Sequence, residues 1–479
     1  MNKFKVCKYL EDSLYLAPDE IRACCQRFFY KGKMRGDAKL IKVAKGKTPT
    51  VEEIKAARVK IFNEIQKNEN KDCEGCKYLT EVEEKPKITA NVNHLSIEHH
   101  TFCNLRCNYC SPLFYGGKKP NYDVVKFTSD FAQQGMFSDC NQVVWGGGEP
   151  TLDKSFELVV KNINKNVSPK VYHRVFTNSV RFSKPLKNFL DQGLVKITTS
   201  IDAGSEEVFK IVRGRKKFNE VFENLKIYAE KKPEYVTIKY IFTDENSSKE
   251  EIDLFVQKIK EFNLIDCCFQ ISTNYKRETI DNYLKWIAYI FAKLSNEKIQ
   301  KIFLDDLISV RMTELNNNQY LEILNFLKNE DLENAININD DDIIIYGSGQ
   351  IGKDLVSKSN LFKNLKNYDV IDSDIKKIGN KFFDKVIKSP DCLRNDNRKI
   401  LIASAQSYGE IFAKIKNKEN IDNFDFISSK HLDSIELLKF NMELENKFKI
   451  EFSDKDLISK NFSRVSGLVN IIKKKVSSN

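Results

Sequence analysis

Between Asn91 and Thr273 short runs of β-branched and aromatic residues alternate with stretches whose apolar positions recur at helical spacing. The strand candidates are HLSIEH (94–99), QVVWG (142–146), VYHRVFT (171–177), LVKITTSI (194–201), YVTIKYIF (235–242) and CCFQIS (267–272). Six β/α repeats in series predict a parallel sheet. Chemistry-bearing residues gather at the carboxyl ends of these strands, so the expected fold class is α/β with a partial (β/α)6 TIM-like barrel.

The flanking segments read differently. TPTVEEIKAARVKIFNEIQKN offers Thr50 and Glu53 as a capping box, with Ile54, Ala57, Ile61 and Ile65 at helical spacing. That predicts a helix from about Val51 to Lys67. Residues 275–335 read as helices, and the broadly apolar YLKWIAYIFAKL among them is expected to be buried between domains. A second α/β unit opens at DDDIIIYGSGQIGKDL and continues through YDVIDSD and KILIASAQSYGEI. The expected organisation is a Cys-rich basic N-terminal domain (1–90), the α/β core (91–275), a helical connector (276–338), a Rossmann-like α/β domain (339–435) and a Lys-rich tail (436–479). No internal repeat or low-complexity segment is visible.

Composition narrows the class. The chain has 479 residues, 30% of them charged, with a formal net charge of +11. No apolar run reaches the ~18–20 residues that span a bilayer. The opening MNKFKVCKYLED meets acid too early for a secretory core, so a cytoplasmic protein is expected. Residues 1–60 hold 15 Lys/Arg against 7 Asp/Glu, most of the net charge. This stretch reads as a solvated basic loop or as a landing surface for an acidic or phosphorylated partner; nucleic acid is not indicated.

In a reducing compartment the 12 cysteines point to metal ligands or reactive thiols rather than disulfides. CNLRCNYC places Cys103, Cys107 and Cys110 at C-x3-C-x2-C spacing just after a strand. Thiolates suit iron–sulfur clusters or zinc. A zinc site would want a fourth ligand, for which His99 and His100 are near in sequence. Three cysteines on a cubane would instead leave one iron open to a small molecule.

At these residues the chain resembles the radical S-adenosylmethionine (SAM) superfamily, whose hallmark is C-x3-C-x-aromatic-C after the first barrel strand. The resemblance continues in order through VVWGGGEPTL, VFTNS and TTSIDAGSEEVFKIVRG, over roughly residues 90–275. It implies a 4Fe–4S cluster on Cys103, Cys107 and Cys110, with Tyr109 against the adenine of SAM. It also implies Gly147, Gly148 and Glu149 at the methionyl amino group, Ser200 and Asp202 at the ribose or methionyl portion, and Arg213 at the SAM carboxylate. The implied activity is reductive cleavage of SAM to a 5′-deoxyadenosyl radical that removes hydrogen from a substrate. A low-potential donor such as flavodoxin or ferredoxin is the implied partner.

Cys7, Cys24 after sixteen intervening residues, and Cys73-x2-Cys76 form a second quartet. The opening Cys, hydrophobic run, Pro-Asp turn and second Cys resemble the auxiliary-cluster segments called SPASM or twitch, which normally follow the barrel rather than precede it. An auxiliary 4Fe–4S cluster, a structural zinc or no metal are the readings left open, and Cys24 and Cys25 are not separable, with Cys24 favoured. Cys140, Cys267 and Cys268 read as core residues, one of the last two facing the barrel lumen. His94, His173 and His431 are solitary and take no role.

IIIYGSGQIG places Gly347, Gly349 and Gly352 between a strand and a helix, with Asp372 25 residues after the first of them. In that setting the glycines read as a dinucleotide fingerprint. The unit resembles Rossmann-like modules appended to enzymes that modify sugars and surface polysaccharides. NAD(P), another nucleotide or nucleotide-sugar group, and an empty scaffold remain open, and Asp372 reads alternatively as a solvated turn residue. The expected substrate is a sugar-linked or other phosphorylated small molecule, with a peptide second. A zinc-stabilised nucleotide-binding scaffold without radical chemistry is the competing class.

Overall fold

The computed structural model describes residues 3–76, 78–165, 167, 171–274, 281–299, 301–305, 308, 316–332, 343–358, 367–395 and 398–403, then 445, 448–453, 456 and 465–476. The chain divides into two compact units, Met1–Arg311 with Asn316–Asn337, and Met312–Leu315 with Ile338–Asn479. Among the described residues no helix is long and apolar enough to cross a membrane.

The first unit is built on one open ten-stranded sheet. Its strands are β2 (Ser13–Leu16), β3 (Glu20–Arg22), β6 (Lys39–Lys42), β8 (His94–Ile97), β9 (Gln142–Trp145), β10 (Tyr172–Phe176), β11 (Val195–Ser200), β12 (Val236–Phe242), β13 (Cys268–Thr273) and β14 (Ile302–Leu304). They lie in the order β14-β13-β12-β11-β10-β9-β8-β2-β3-β6. All pairings from β14 to β2 are parallel, and β2–β3 and β3–β6 are antiparallel. Smaller pairs join β1 (Phe4–Val6) to β7 (Thr80–Val82), and β4 (Arg27–Tyr30) to β5 (Lys33–Gly36). The six strands expected between 94 and 272 are all present.

Two expectations change. Residues 1–90 do not form a domain apart from the sheet, because β2 pairs with β8 from Ser13↔His94 to Leu16↔Ile97. Nor is the connector purely helical, since β14 pairs with β13. Both strands are too short to show a pattern, and all four residues of β2 are buried, so no alternation marks it. The helix Leu284–Asn296 carries the apolar run of the connector, with contacts to helices Lys249–Glu261 and Asn317–Asn329 of the same unit.

Side-chain alternation decides which face holds the core. On β12, Val236, Ile238, Tyr240 and Phe242 are buried while Thr237, Lys239 and Ile241 are half-buried. Tyr240 packs on Phe255 of Lys249–Glu261, ring centroids 5.0 Å apart, and Trp145 on Phe156 of Phe156–Ile163, 4.7 Å apart. One face is therefore covered by helices, and the other is the inner face. His173 lies in the covered layer, fully buried, accepting the Trp145 indole N–H at 3.0 Å. Burial lowers its pKa to about 3, as befits a neutral core residue. Cys140, Cys267 and Cys268 are buried, and Cys268, beside Thr237, shares the inner face.

One buried cation joins the N-terminal segment to this sheet. Arg58, on the helix Val51–Gln66 with its Thr50–Glu53 capping box, is 0% exposed. Its guanidinium donates to the carbonyls of Glu11, Thr89, Asn91 and Ser13 at 2.9–3.0 Å. The bonds go to neutral carbonyls, so burial pushes its pKa down to about 10.

The second unit holds a five-stranded sheet of β15 (Ile343–Tyr346), β16 (Tyr368–Ile371), β17 (Lys381–Phe382), β18 (Lys385–Lys388) and β19 (Lys399–Ile402), in the order β17-β18-β16-β15-β19. All pairings but β17–β18 are parallel. His431, residues 404–435 of the expected α/β domain and most of the tail lie outside the described residues.

Candidate functional site

The cysteine loop leaves the carboxyl end of β8 and is held from two sides. On one side the N–H groups of Gly146, Gly148 and Glu149 donate to the carbonyls of Ile97, His100 and Phe102 at 3.1, 3.2 and 2.6 Å. A Cβ on Gly148 would overlap the Phe102 backbone, and one on Gly147 would stand 2.9 Å from Glu98 Cβ. These glycines are thus required by loop against loop. On the other side Arg106 and Asn108 donate their N–H groups to the carbonyls of Arg213 and Val212, at 3.1 and 2.9 Å. The cysteine loop satisfies two carbonyls that end the helix Glu206–Arg213. Gly214 closes that helix at φ 80°, where a Cβ would lie 2.5 Å from the Arg106 carbonyl oxygen.

Cys103, Cys107 and Cys110 are each half-buried on this loop. Leu105 N–H points at Cys103 Sγ at 3.5 Å, and the Asn178 amide at 3.8 Å. Burial raises the Cys103 and Cys110 thiols, and Arg213 opposes the rise at both. Among the described residues the one group of three His, Cys, Asp or Glu donors within 4.8 Å of one another is His99, His100 and Asp153. A single zinc with ~2.3 Å bonds would need its sulfurs roughly 4 Å apart. Cys103, Cys107 and Cys110 do not form such a group among the described residues. The two histidines considered as a fourth zinc ligand are engaged elsewhere. His99 Nε2 meets Asp153 at 3.0 Å, and His100 Nδ1 accepts the Phe102 N–H at 3.2 Å.

The remaining expected SAM residues converge on the same mouth. Glu149 is 2% exposed and accepts from Thr151 N–H and O–H, Thr177 O–H and Asn178 N–H, at 2.6–3.1 Å. Burial raises its pKa, and these bonds oppose it. Tyr109 O–H donates to Asp202 at 2.6 Å and meets Arg213, which also pairs with Asp202 at 3.0 Å. Asp202 stands at φ 60° and also accepts the Ile241 N–H at 2.7 Å. Ser200 is half-buried at the end of β11. Sequence reasoning missed Asn178 as the link from Glu149 to Cys103, although the VFTNS run marked its position. It also missed Tyr15, whose O–H donates to Glu98 at 2.5 Å. No local signal ties β2 to β8.

The N-terminal quartet is brought together from three segments. Cys7, Cys24, Cys73 and Cys76 line one cavity beside Leu10 and Ala38. Cys76 N–H donates to the Cys73 carbonyl at 3.2 Å, closing the C-x2-C turn. Cys25 is exposed and does not line the cavity. Its thiol is pushed up to about 11 by burial of its sulfur and by Glu98. Burial, with the other three thiols close by, pushes Cys73 up to about 12.

In the second unit Gly347 sits at φ 120° after β15, and Gly352 stands against its carbonyl. Nothing lies within 4 Å of a Cβ on Gly349. Asp372 is buried, which corrects its reading as a solvated turn residue. It accepts from Ser348 N–H at 2.9 Å, Ser348 O–H at 2.6 Å and Lys377 at 3.3 Å, and from Asp374 N–H. The carboxylate expected at a ribose is occupied by the glycine loop itself.

Residues 97–256 match the family described as the Radical SAM superfamily. A GTP 3′,8-cyclase of Haemophilus influenzae (strain PittGG) is 30% identical over 125 residues, 26% of this chain and 37% of that protein. The GTP 3′,8-cyclase of Pasteurella multocida (strain Pm70) is 33% identical over 129 residues, again 26% and 37%. The match thus spans 37% of the length of these curated relatives. Among solved structures, Streptococcus suis SuiB bound to precursor peptide SuiA aligns with TM-score 0.38 and 15% identity, over 56% of this chain and 68% of that one. Native anSMEcpe with bound AdoMet aligns with TM-score 0.35 and 17% identity, over 45% and 64%.

Proposed function

With residues 97–256 in the radical SAM superfamily, we propose that the chain is an enzyme that cleaves SAM reductively and removes a hydrogen atom from a substrate held in the barrel. When bound, a 4Fe–4S cluster with SAM supplies a carbon radical able to attack an unactivated C–H bond. Cys103, Cys107 and Cys110 would hold the cluster. The observation that carries this reading is the clamp on their loop, fixed by Gly146–Glu149 on one side and the Arg213–Gly214 turn on the other. Asn178 and Leu105 N–H donate toward sulfur, as bonds that tune a thiolate-held cluster do. Glu149 offers a carboxylate to an ammonium, Asp202 and Ser200 offer acceptors to hydroxyls, and Arg213 offers a guanidinium to a carboxylate. Tyr109 closes the wall between them and limits water.

Cys7, Cys24, Cys73 and Cys76 are assigned a second 4Fe–4S cluster, supported by their convergence on one cavity. A low-potential flavodoxin or ferredoxin would supply the electron. The substrate assigned is a phosphorylated or sugar-linked small molecule, a reading supported by relatives named GTP 3′,8-cyclase over 26% of the chain. Anaerobic reconstitution followed by reduction in the presence of SAM tests the activity. Brown protein forming 5′-deoxyadenosine is expected. Colourless protein with stoichiometric zinc and no 5′-deoxyadenosine would overturn the proposal.

A further inference from the structure

Along β12 the residues opposite the helix-covered face are Thr237, Lys239 and Ile241. Strand register puts Ser200, Lys239 and Gln270 in one row across β11, β12 and β13. Asp305, just after β14, faces this row. Its Oδ2 accepts from Lys239 Nζ at 3.1 Å, Gln270 Nε2 at 2.8 Å and Ser272 Oγ at 3.0 Å. The side chains of Lys239 and Asp305 are only 17% and 18% exposed. A lysine so enclosed needs a counter-charge, and Asp305 supplies it.

Three donors saturate that one carboxylate oxygen, but they do not saturate Lys239. An ammonium has three N–H groups. Among the described residues Asp305 is the sole hydrogen-bond partner of the Lys239 ammonium, so two of its N–H groups remain. Gln270 keeps one N–H, and the Ser200 hydroxyl has no hydrogen-bond partner among the described residues. The row thus offers N–H donors from Lys239 and Gln270 beside the Gln270 Oε1 and Ser200 hydroxyl oxygens, with Lys239 and Gln270 held by the acid that faces them. The row also adjoins the SAM residues, because Ser200 belongs to both and Ile241, two residues beyond Lys239, donates its N–H to Asp202. Two rows lower on the same inner face, below the Thr198–Thr237 row, Arg174 and Lys196 are cross-strand partners.

We propose that Lys239, positioned by Asp305 and flanked by Gln270 and Ser200, is the specificity residue of the barrel lumen and takes an oxyanion of the substrate. Phosphate and carboxylate share that chemistry. The proposal deepens the reading of the barrel as the reaction chamber and rests on it.

The test titrates inorganic phosphate, followed by 31P line broadening, and acetate, followed by 13C line broadening, into reconstituted protein. The proteins are the parent, Lys239→Met, Lys239→Arg and Gln270→Leu. The parent should show a saturable component. Lys239→Arg should keep it, Gln270→Leu should weaken it, and Lys239→Met should lose roughly tenfold or more in affinity, the scale of a charge-assisted hydrogen bond. Saturation by phosphate alone assigns a phosphate ester, and by acetate alone a carboxylate. No saturable component in the parent overturns the proposal, as does equal affinity in Lys239→Met. If Lys239→Met does not fold, unchanged binding in Gln270→Leu overturns it instead. Iron content and 5′-deoxyadenosine formation on the same samples report separately on the radical SAM reading.

Discussion

The two cysteine sites are built in opposite ways. The trio sits on one loop, three cysteines within eight residues, and its shape comes from neighbours that grip the loop from both sides. The quartet is gathered from three segments, with Cys7 ahead of β2, Cys24 after β3 and the C-x2-C turn beyond the helix Val51–Gln66. Their electrostatics differ in the same sense. Arg213 lowers the cost of thiolates at Cys103 and Cys110, together with donors from Asn178 and Leu105. At Cys7, Cys24 and Cys73 burial raises the thiols; backbone N–H bonds from Leu10 and Tyr9 oppose it at Cys7 and from Gln26 and Ala38 at Cys24, while at Cys73 the other three thiols add to it. Sulfur-directed N–H donors are common to both sites, and the fixed cation belongs to the trio, where it can stand beside an open position for a ligand. A site packed among Val6, Leu10 and Ala38 fits a closed, fully ligated metal.

The largest effect expected is loss of one site with survival of the other. Replacing Cys103, Cys107 and Cys110 together by Ala should abolish 5′-deoxyadenosine formation. The protein should still bind about four irons, since the quartet can hold a cluster of its own. Undiminished 5′-deoxyadenosine in that variant would break the comparison at its root. Retention of one zinc and no iron would instead make the N-terminal site structural.

Next in size is the distinction between neighbours. Cys24→Ser should cost the N-terminal metal, about four irons by elemental analysis, while Cys25→Ser keeps it. The cavity receives Cys24, and Cys25 lies on the side of Glu98. Equal iron loss in both variants would mean that the quartet is not the one the cavity defines.

A third experiment probes how the N-terminal site is fastened to the barrel. Arg58→Met would leave the carbonyls of Glu11, Ser13, Thr89 and Asn91 without their donor. Removing a buried charge offsets part of that cost, so a net loss of about 3 kcal/mol is expected. The melting temperature should fall by several degrees. The quartet should lose metal before the trio does, because Arg58 holds the carbonyl of Glu11, whose N–H donates to the Cys7 carbonyl. Equal loss at both sites would show that Arg58 supports the whole sheet rather than the N-terminal fastening.

Much of this was legible in the sequence, for a physical reason that differs by region. The six core strands alternate or run apolar over four to seven residues and lie between helices, so periodicity finds them. The trio and the glycine–glutamate loop are local in sequence, and their spacing carries their chemistry. What failed was non-local and short. β2 has four buried residues with no alternation, and its pairing with β8 is encoded by tertiary contacts alone. Nothing local in the sequence singles out Arg58, and only the fold shows four carbonyls around it. The bond between Ser348 and Asp372 was not legible, because a Ser-Gly turn and an acid 24 residues apart give no sign that they meet.

The smallest effect concerns Glu149, where a ligand role and a bracing role meet in one carboxylate. Oε1 accepts from Thr151 and Thr177, and Oε2 accepts from Asn178 N–H. Asn178 in turn reaches Cys103 Sγ and Asn104 Oδ1. Truncation to Ala would therefore disturb the trio's loop as well as any contact with SAM. Glu149→Gln separates the two, since it keeps one acceptor oxygen and the side-chain length but removes the charge. A hydrogen bond to a charged group contributes ~1.5–3 kcal/mol, so SAM affinity should fall roughly ten- to a hundredfold. Iron content should stay at the parental level. Asp202→Asn should cost less SAM affinity, because a ribose hydroxyl carries no charge, although it also weakens the pairing with Arg213. Electron paramagnetic resonance of reduced protein with and without SAM measures both properties at once. A parental SAM-dependent change in Glu149→Gln would leave Glu149 as a brace alone. Lost iron in that variant would mean that the bracing role dominates, and that the trio depends on β9 and β10 as much as on its own loop.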